Sequence, residues 1–139
     1  MCGFAVAINY KGSSDGLRHH FDRIQYRGPD NAQHRSFDED VHFSFYRLAI
    51  MDLTESGNQP MCHPEDSELV LVCNGEIYNH AELRDKYKFN VASGSDSEII
   101  LHMYKKWGLK RTLYELDGVF AFVLYDRRKD VFHVARDPF

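Results

Sequence analysis

The 139-residue chain lacks long apolar runs, clusters of basic residues and a regular set of cysteines. Without a run of about 20 apolar residues, a membrane-spanning helix is excluded. Acidic and basic residues are interspersed at a net charge of −4, and no basic stripe favours nucleic acid as a partner. The three cysteines form no disulfide framework, and the opening residues lack the features of a signal peptide. These absences predict a cytoplasmic protein with free thiols.

The remaining composition is that of a single globular domain over residues 1–139, with 43% hydrophobic and 14% aromatic residues. Apolar runs and alternation predict strands over residues 4–9, 41–46, 69–73, 119–125 and 131–135. The last two are joined by a polar segment typical of a hairpin. Helical spacing predicts helices over residues 15–25, 80–87, from 95 or 96 to 107, and 110–116, with a loop over 55–68.

The order of these elements places strands at both ends of the chain and helices between them. This order predicts the α+β class. Strands with a period of two and a terminal hairpin favour two mainly antiparallel sheets packed face to face, with helices layered outside, over a doubly wound parallel sheet.

Cysteine is the second residue, in the opening string Met1-Cys2-Gly3. If Met1 is removed, Cys2 carries both a nucleophilic sulfur and an α-amine that can serve as its base. The unperturbed pKa of an α-amine is about 8, so a useful fraction of it is neutral at cellular pH. The alternative is an inert thiol at the N-terminus.

An Asn-Gly pair, Asn74-Gly75, follows the apolar run that ends at Cys73. A side-chain amide and an adjacent main-chain N–H can converge on one oxygen and stabilise an oxyanion. Glycine permits the close approach and the unusual dihedral angles that this requires. The alternative is an ordinary hairpin turn, for which Asn-Gly is a strong signal.

Seven short strings, taken together and in this order, resemble the glutamine-hydrolysing domain of glutamine-dependent asparagine synthetases. These enzymes are class II glutamine amidotransferases of the N-terminal-nucleophile type. Two of the strings, over residues 27–30 and 74–79, resemble this branch more closely than the sugar-phosphate or purine-pathway branches. The matching strings are Met1-Cys2-Gly3, Arg27-Gly28-Pro29-Asp30, Arg47-Leu48-Ala49-Ile50, Asn74-Gly75-Glu76-Ile77-Tyr78-Asn79, Ser93-Gly94-Ser95-Asp96, and the stretches 117–122 and 135–139.

The resemblance implies an αββα fold and a role for each matching residue. Cys2 would attack the side-chain amide of L-glutamine, with Asn74 and Gly75 holding the oxyanion. The substrate α-carboxylate would meet Arg47, and its ammonium would meet Glu76 and Asp96. The pocket would also include Leu48, Ala49, Ile50 and Met51.

Three of these residue positions carry a second interpretation. Asp96 lies in Ser95-Asp96-Ser97-Glu98, which is also a good helix start, and it can serve both purposes. Arg27 and Asp30 either organise the loop near the nucleophile or form a turn with a local ion pair.

The resemblance also implies which cofactors and partners to expect. The glutaminase half needs no metal or organic cofactor, whereas ATP and Mg²⁺ would belong to a synthetase domain. The family continues beyond the match to Phe139 with more strands and then that domain. We therefore expect a glutaminase domain incomplete at its C-terminal end. A fragment, a natural truncation and an isolated domain are all compatible with this. A synthetase domain or subunit is the expected partner, and homo-oligomerisation stays open.

Two functions follow as hypotheses. In the first, the domain hydrolyses L-glutamine through a γ-glutamyl thioester on Cys2 and supplies ammonia for asparagine synthesis. In the second, it is a truncated, non-catalytic module that binds glutamine or a partner. A glutaminase of the sugar-phosphate type is a weaker third hypothesis, because the string over residues 27–30 disfavours it.

Overall fold

The structure, a computed structural model, describes residues 2–49 and 54–139 of the chain. Apolar residues alternate or run together along its strands, and a run of consecutive buried residues begins its longest helix. The strands are β1 Gly3–Ile8, β2 Asn31–Phe37, β3 Val41–Arg47, β4 Met61–His63, β5 Asp66–Ile77, β6 Gly118–Asp126 and β7 Val131–Arg136. The α-helices are α1 Ser14–Phe21, α2 His80–Tyr87 and α3 Glu98–Glu115.

The described strands form two antiparallel sheets, which confirms the α+β prediction. One sheet has the order β1-β3-β2, and the other has the order β4-β5-β6-β7. The expected hairpin joins β6 to β7, where Asp126 faces Val131. None of the described helices is both long enough and apolar enough to span a membrane.

The two sheets pack face to face because alternate residues of β3 and β5 point between them. In this interface, Phe43 and Phe45 of β3 pack in one cluster with Val70 and Val72 of β5. The opposite face of β5, which includes Leu71, packs with apolar side chains of α2 and α3. This alternation follows from the period-two geometry of a strand.

On the outer side of the three-stranded sheet, α1 continues into a 3-10 helix over Asp22–Arg27. The Tyr46 hydroxyl of β3 donates a hydrogen bond of 2.8 Å to Asp22 Oδ1 there. Helices therefore cover both outer faces, and the layers run helix, sheet, sheet, helix, as expected.

Several local predictions need correction. The helix expected over residues 15–25 changes to 3-10 geometry after Phe21. Strand β2 was not predicted, and the loop expected over residues 55–68 contains β4 and the start of β5. At the start of α3, Ser97 is the N-cap residue and makes no side-chain capping bond. By contrast, the two helices expected after residue 95 are present within Glu98–Glu115, on either side of a kink at Gly108, where φ is 75°.

Candidate active site

A cavity of about 310 Å³ lies where β1 and β3 of one sheet approach β5 of the other. Its size is at the lower end of the range typical of small-molecule sites, roughly 300–1,000 Å³. Seven of the sequence-predicted site residues line it, namely Cys2, Arg47, Leu48, Asn74, Gly75, Glu76 and Asp96. Ala49 is not part of this lining, and Ile50 and Met51 lie outside the described residues.

Cys2 lies immediately before β1, and its sulfur contacts the main chain that follows β3. The Leu48 N–H donates to Cys2 Sγ at 3.3 Å, and the thiol lies 3.5 Å from the Leu48 carbonyl. Arg27 Nε donates to the Cys2 carbonyl at 3.3 Å. Contacts from two separate segments, one to the sulfur and one to the carbonyl, therefore hold the half-buried Cys2 at the cavity wall.

The loop containing Arg27 and Asp30 contacts main chain on either side of the sulfur. The Asp30 N–H donates to the Arg47 carbonyl at 3.0 Å, and Asp30 Oδ2 accepts from the Ala49 N–H at 2.8 Å. Among the ion pairs of the described residues, Arg27 and Asp30 do not pair with each other. The geometry therefore favours the loop-organising interpretation over a turn with a local ion pair.

Asn74 and Gly75 lie inside β5 rather than in a turn, because β5 stays paired with β6 as far as Ile77. Asn74 Oδ1 is buried and has no hydrogen-bond partner among the described residues. An acceptor of this kind is costly to bury unsatisfied, so the Asn74 oxygen has capacity left for a ligand group that donates a hydrogen bond.

Gly75 departs from regular strand geometry, with φ at +143°. A Cβ atom at this position would lie 2.0 Å from the Val119 carbonyl oxygen, so only glycine fits. Opposite Gly75, the N–H and carbonyl of Phe120 both bond to Asp137. In an antiparallel ladder this leaves the peptide groups of Gly75 directed away from β6, on the side of β5 where the cavity lies.

Arg47, at the end of β3, is buried, with 8% of its surface exposed. Its Nη1 donates to the Thr54 carbonyl and to Asn58 Oδ1, both at 2.7 Å. These bonds fix the plane of a guanidinium group that can bind a carboxylate through two parallel hydrogen bonds.

Two carboxylates lie on the cavity wall with Arg47. Asp96 is buried, and its Oδ2 accepts a 2.5 Å hydrogen bond from the Ile77 N–H, whereas Glu76 is exposed. A wall with one cationic and two anionic groups complements a zwitterionic amino acid. Within the described ranges, no group of three or more His, Cys, Asp or Glu side chains could hold a metal ion.

Gln59 also lines the cavity, although no sequence pattern singles it out. It lies in the segment expected to be a loop, and its contacts are with main chain that is distant in sequence. Neither composition nor residue spacing can predict such contacts between distant segments.

Helices outside two stacked antiparallel sheets, with a cysteine just before the first strand, define an αββα protein of the N-terminal-nucleophile type. The profile of the glutamine amidotransferase domain family matches residues 1–139, and the chain belongs to this family. This confirms the family resemblance of the seven strings.

Curated relatives agree with this assignment. The chain is 40% identical over 142 residues to asparagine synthetase [glutamine-hydrolyzing] 2 of Arabidopsis thaliana, covering 99% of this chain and 24% of the relative. It is 45% identical over 116 residues to a Zea mays asparagine synthetase [glutamine-hydrolyzing], covering 83% and 19%. Amidase chyE of Penicillium rubens is 34% identical over 155 residues, covering 100% and 23%. The chain thus spans about a quarter of the length of these relatives.

Proposed function

We propose that this domain hydrolyses L-glutamine to glutamate and ammonia through a γ-glutamyl thioester on Cys2. The observation that carries the proposal is the shared cavity, in which the Cys2 sulfur, the Asn74 side chain and three charged side chains meet. A thiol nucleophile, oxyanion donors and an amino-acid clamp are the parts that amide hydrolysis of a free amino acid requires.

The charged groups would orient the substrate. Arg47 binds the α-carboxylate, and Asp96 and Glu76 bind the α-ammonium, which places the γ-carboxamide beside the sulfur. Holding the two reacting groups together in this way accounts for much of the barrier reduction in such reactions.

The first half of the reaction forms the thioester. After removal of Met1, the α-amine of Cys2 accepts the thiol proton while the sulfur bonds to the amide carbon, and the carbonyl oxygen becomes an oxyanion held by Asn74 and Gly75. The amine then returns the proton to the amide nitrogen. The C–N bond breaks, ammonia leaves, and the thioester remains.

The second half regenerates the enzyme. Water attacks the thioester carbon while the α-amine accepts one proton from it. The C–S bond breaks, glutamate leaves, and the proton returns to the sulfur. For the fate of the ammonia, we propose asparagine synthesis by a synthetase domain or subunit, because relatives named as glutamine-hydrolysing asparagine synthetases match 99% of this chain.

The test combines intact mass, ammonia release and thioester trapping by hydroxylamine. Protein whose mass lacks Met1 should release ammonia from glutamine, and Cys2→Ala should release none and form no hydroxamate. The control is Cys62→Ala, a half-buried cysteine that does not line the cavity, which should keep activity.

Two results would contradict the proposal in different ways. Ammonia release by Cys2→Ala at the parent rate would exclude Cys2 as the nucleophile. Calorimetric binding of glutamine by correctly processed parent protein without any turnover would instead favour the non-catalytic binding module.

A further inference from the structure

Gln59 makes a paired contact with the main chain next to the Asn74-Gly75 corner. Its Oε1 accepts from the Cys73 N–H at 2.5 Å, and its Nε2 donates to the Cys73 carbonyl at 3.2 Å. Gln59 is 5% exposed and Cys73 is 2% exposed. One buried side chain thus satisfies both main-chain groups of one buried residue of β5.

This contact replaces the missing continuation of β4. Strand β4 pairs with β5 through Met61 opposite Leu71 and Cys62 opposite Val70. Extended by two residues, this register would place Gln59 opposite Cys73. Instead, β4 begins at Met61, and the side-chain amide of Gln59 makes the two bonds to Cys73 that the main chain of a continued strand would make.

The substitution of a side chain for a strand has a consequence at the cavity. Along this edge of β5, the next residue with the same orientation after Cys73 is Gly75. A continued β4 would cover the Gly75 main chain, whereas the amide of Gln59 stops at Cys73. The edge of β5 is therefore anchored up to Cys73 and left open at Gly75, beside Cys2 in the cavity.

We infer that Gln59 is a positioning residue, which holds β5 so that the Asn74-Gly75 corner faces Cys2 with its donors aimed at the reacting oxygen. This inference rests on the proposed glutaminase function. Gln59 acts through Cys73, so its effect should appear in the transition state, where the oxyanion forms, and little in ground-state binding.

Its neighbour Asn58 provides an internal contrast. Asn58 Oδ1 accepts from Arg47 Nη1 at 2.7 Å, at the end of the cavity that would bind the α-carboxylate. Two consecutive residues of one segment thus support opposite ends of the cavity. Loss of the Asn58 contact should raise KM, whereas loss of the Gln59 contact should lower kcat.

The experiment compares Gln59→Met with the matched control Asn79→Leu. Both changes replace an amide by an apolar side chain of similar shape. Asn79 bridges main chain in the same way, since Nδ2 donates to the Glu115 carbonyl and Oδ1 accepts from the Asp117 N–H, but it does not line the cavity.

Glutaminase kinetics should separate the two variants. Gln59→Met should lower kcat roughly 10- to 100-fold with KM within about threefold of the parent, because an oxyanion donor is displaced rather than deleted. Asn79→Leu should change kcat by less than about twofold. Equal kcat values for Gln59→Met and the parent would overturn the inference.

Hydrogen exchange of the Cys73 amide, followed by NMR, gives a readout that does not need turnover. Exchange should be at least about tenfold faster in Gln59→Met and unchanged in Asn79→Leu. Unchanged exchange in Gln59→Met would overturn the inference even if the parent released no ammonia, a result that by itself contradicts only the proposed function.

A second variant covers the case in which Gln59→Met does not fold. Gln59→Glu keeps an acceptor for the Cys73 N–H but places a carboxylate against the Cys73 carbonyl. Its kcat should also fall, with the Cys73 amide still protected. A parent-like kcat in this variant would likewise contradict the inference.

Discussion

The main-chain N–H of Ile77 donates a 2.5 Å hydrogen bond to Oδ2 of the buried Asp96 carboxylate. This bond connects the end of β5 to the turn that leads into α3. It also holds a buried negative charge at the cavity wall. A buried carboxylate needs compensating partners, and a substrate ammonium group would supply one.

Asp96→Asn should weaken substrate binding without disturbing the fold. The asparagine oxygen can still accept from the Ile77 N–H, but the charge is lost. Loss of a charge-assisted hydrogen bond corresponds to about 1.5–3 kcal/mol, so KM for glutamine should rise roughly 10- to 100-fold. The control is Asp126→Asn, a buried carboxylate distant from the cavity. A parent-like KM in Asp96→Asn would remove Asp96 from the ammonium site.

Arg47→Lys should also raise KM, because an ammonium group cannot form two parallel bonds to a carboxylate while contacting the Thr54 carbonyl and Asn58. We expect an increase of roughly tenfold or more, measured by steady-state ammonia release. Arg127→Lys, at a half-buried arginine paired with Asp38 and Glu68, serves as the control. Similar KM values for the two variants would contradict the assigned role.

Gly75→Ala should be far more destabilising than Gly108→Ala. Both glycines have positive φ, but an added Cβ at Gly75 meets the Val119 carbonyl at 2.0 Å, whereas nothing lies within 4 Å at Gly108. Gly108→Ala should lower the free energy of unfolding by about 1–3 kcal/mol, from backbone strain alone. Gly75→Ala should lower the free energy of unfolding by more than about 4 kcal/mol, because β6 must move to make room for the Cβ atom. Urea unfolding measures both, and equal losses would show that the Val119 contact is relieved at little cost.

A buried chain of hydrogen bonds links β4 to the start of α3. His63 Nδ1 accepts from the Glu65 N–H, His63 Nε2 lies 3.1 Å from His102 Nδ1, and His102 Nε2 lies 3.0 Å from Glu98 Oε1. Burial, followed by the charges of His102 and Lys105, lowers the pKa of His63 to about 4. Burial alone would raise the pKa of Glu98, but hydrogen bonds from His102, Ser93 and the Ala92 N–H lower it to about 2.

These pKa shifts predict loss of stability in acid. The unfolded chain binds a proton at His63 near its ordinary pKa of 6.5, whereas the folded chain binds it only near 4. The free energy of unfolding should therefore fall as pH decreases from 6.5 to 4, by up to about 1.4 kcal/mol per pH unit. The Glu98 contribution is lost in turn as pH falls from 4.5 towards 2.

The variant His63→Gln tests this origin of the pH dependence, because it keeps an amide facing His102 and removes the titrating group. The free energy of unfolding, measured with urea between pH 6.5 and 5, should depend less steeply on pH in this variant. The difference in slope should be up to about 1.4 kcal/mol per pH unit, which corresponds to one proton. His20→Gln, at an exposed histidine, should keep the parent slope. Identical slopes in the parent and His63→Gln would assign the pH dependence to other groups.

Strands were predictable from the sequence where the pattern of apolar residues matches the faces of the strand that are buried. Residues 69–73 form a continuous apolar run, and β5 is buried on both faces there. Strand β2 escaped prediction because Asn31–Phe37 is mostly polar and lies at the edge of its sheet. Strand β4 lies between two prolines and has only three residues, which is too few to show an alternation of apolar and polar residues.

The family resemblance points to residues that are far apart in sequence, and seven of them line one cavity; their roles stay predictions. The groups that hold those residues were not predictable. Nothing in the string Asn58-Gln59 indicates that one amide contacts Arg47 and the other replaces a strand beside Cys73. Such contacts depend on tertiary pairing, which local patterns do not encode.

The cavity draws its walls from both layers, with Cys2 and Arg47 on the three-stranded sheet and Asn74 and Gly75 on the four-stranded one. A nascent chain in which only one layer has formed possesses either the sulfur or the amide corner, never the pair. In the proposed chemistry, a partly folded chain therefore cannot hydrolyse glutamine, and catalysis begins only when the two sheets have packed together.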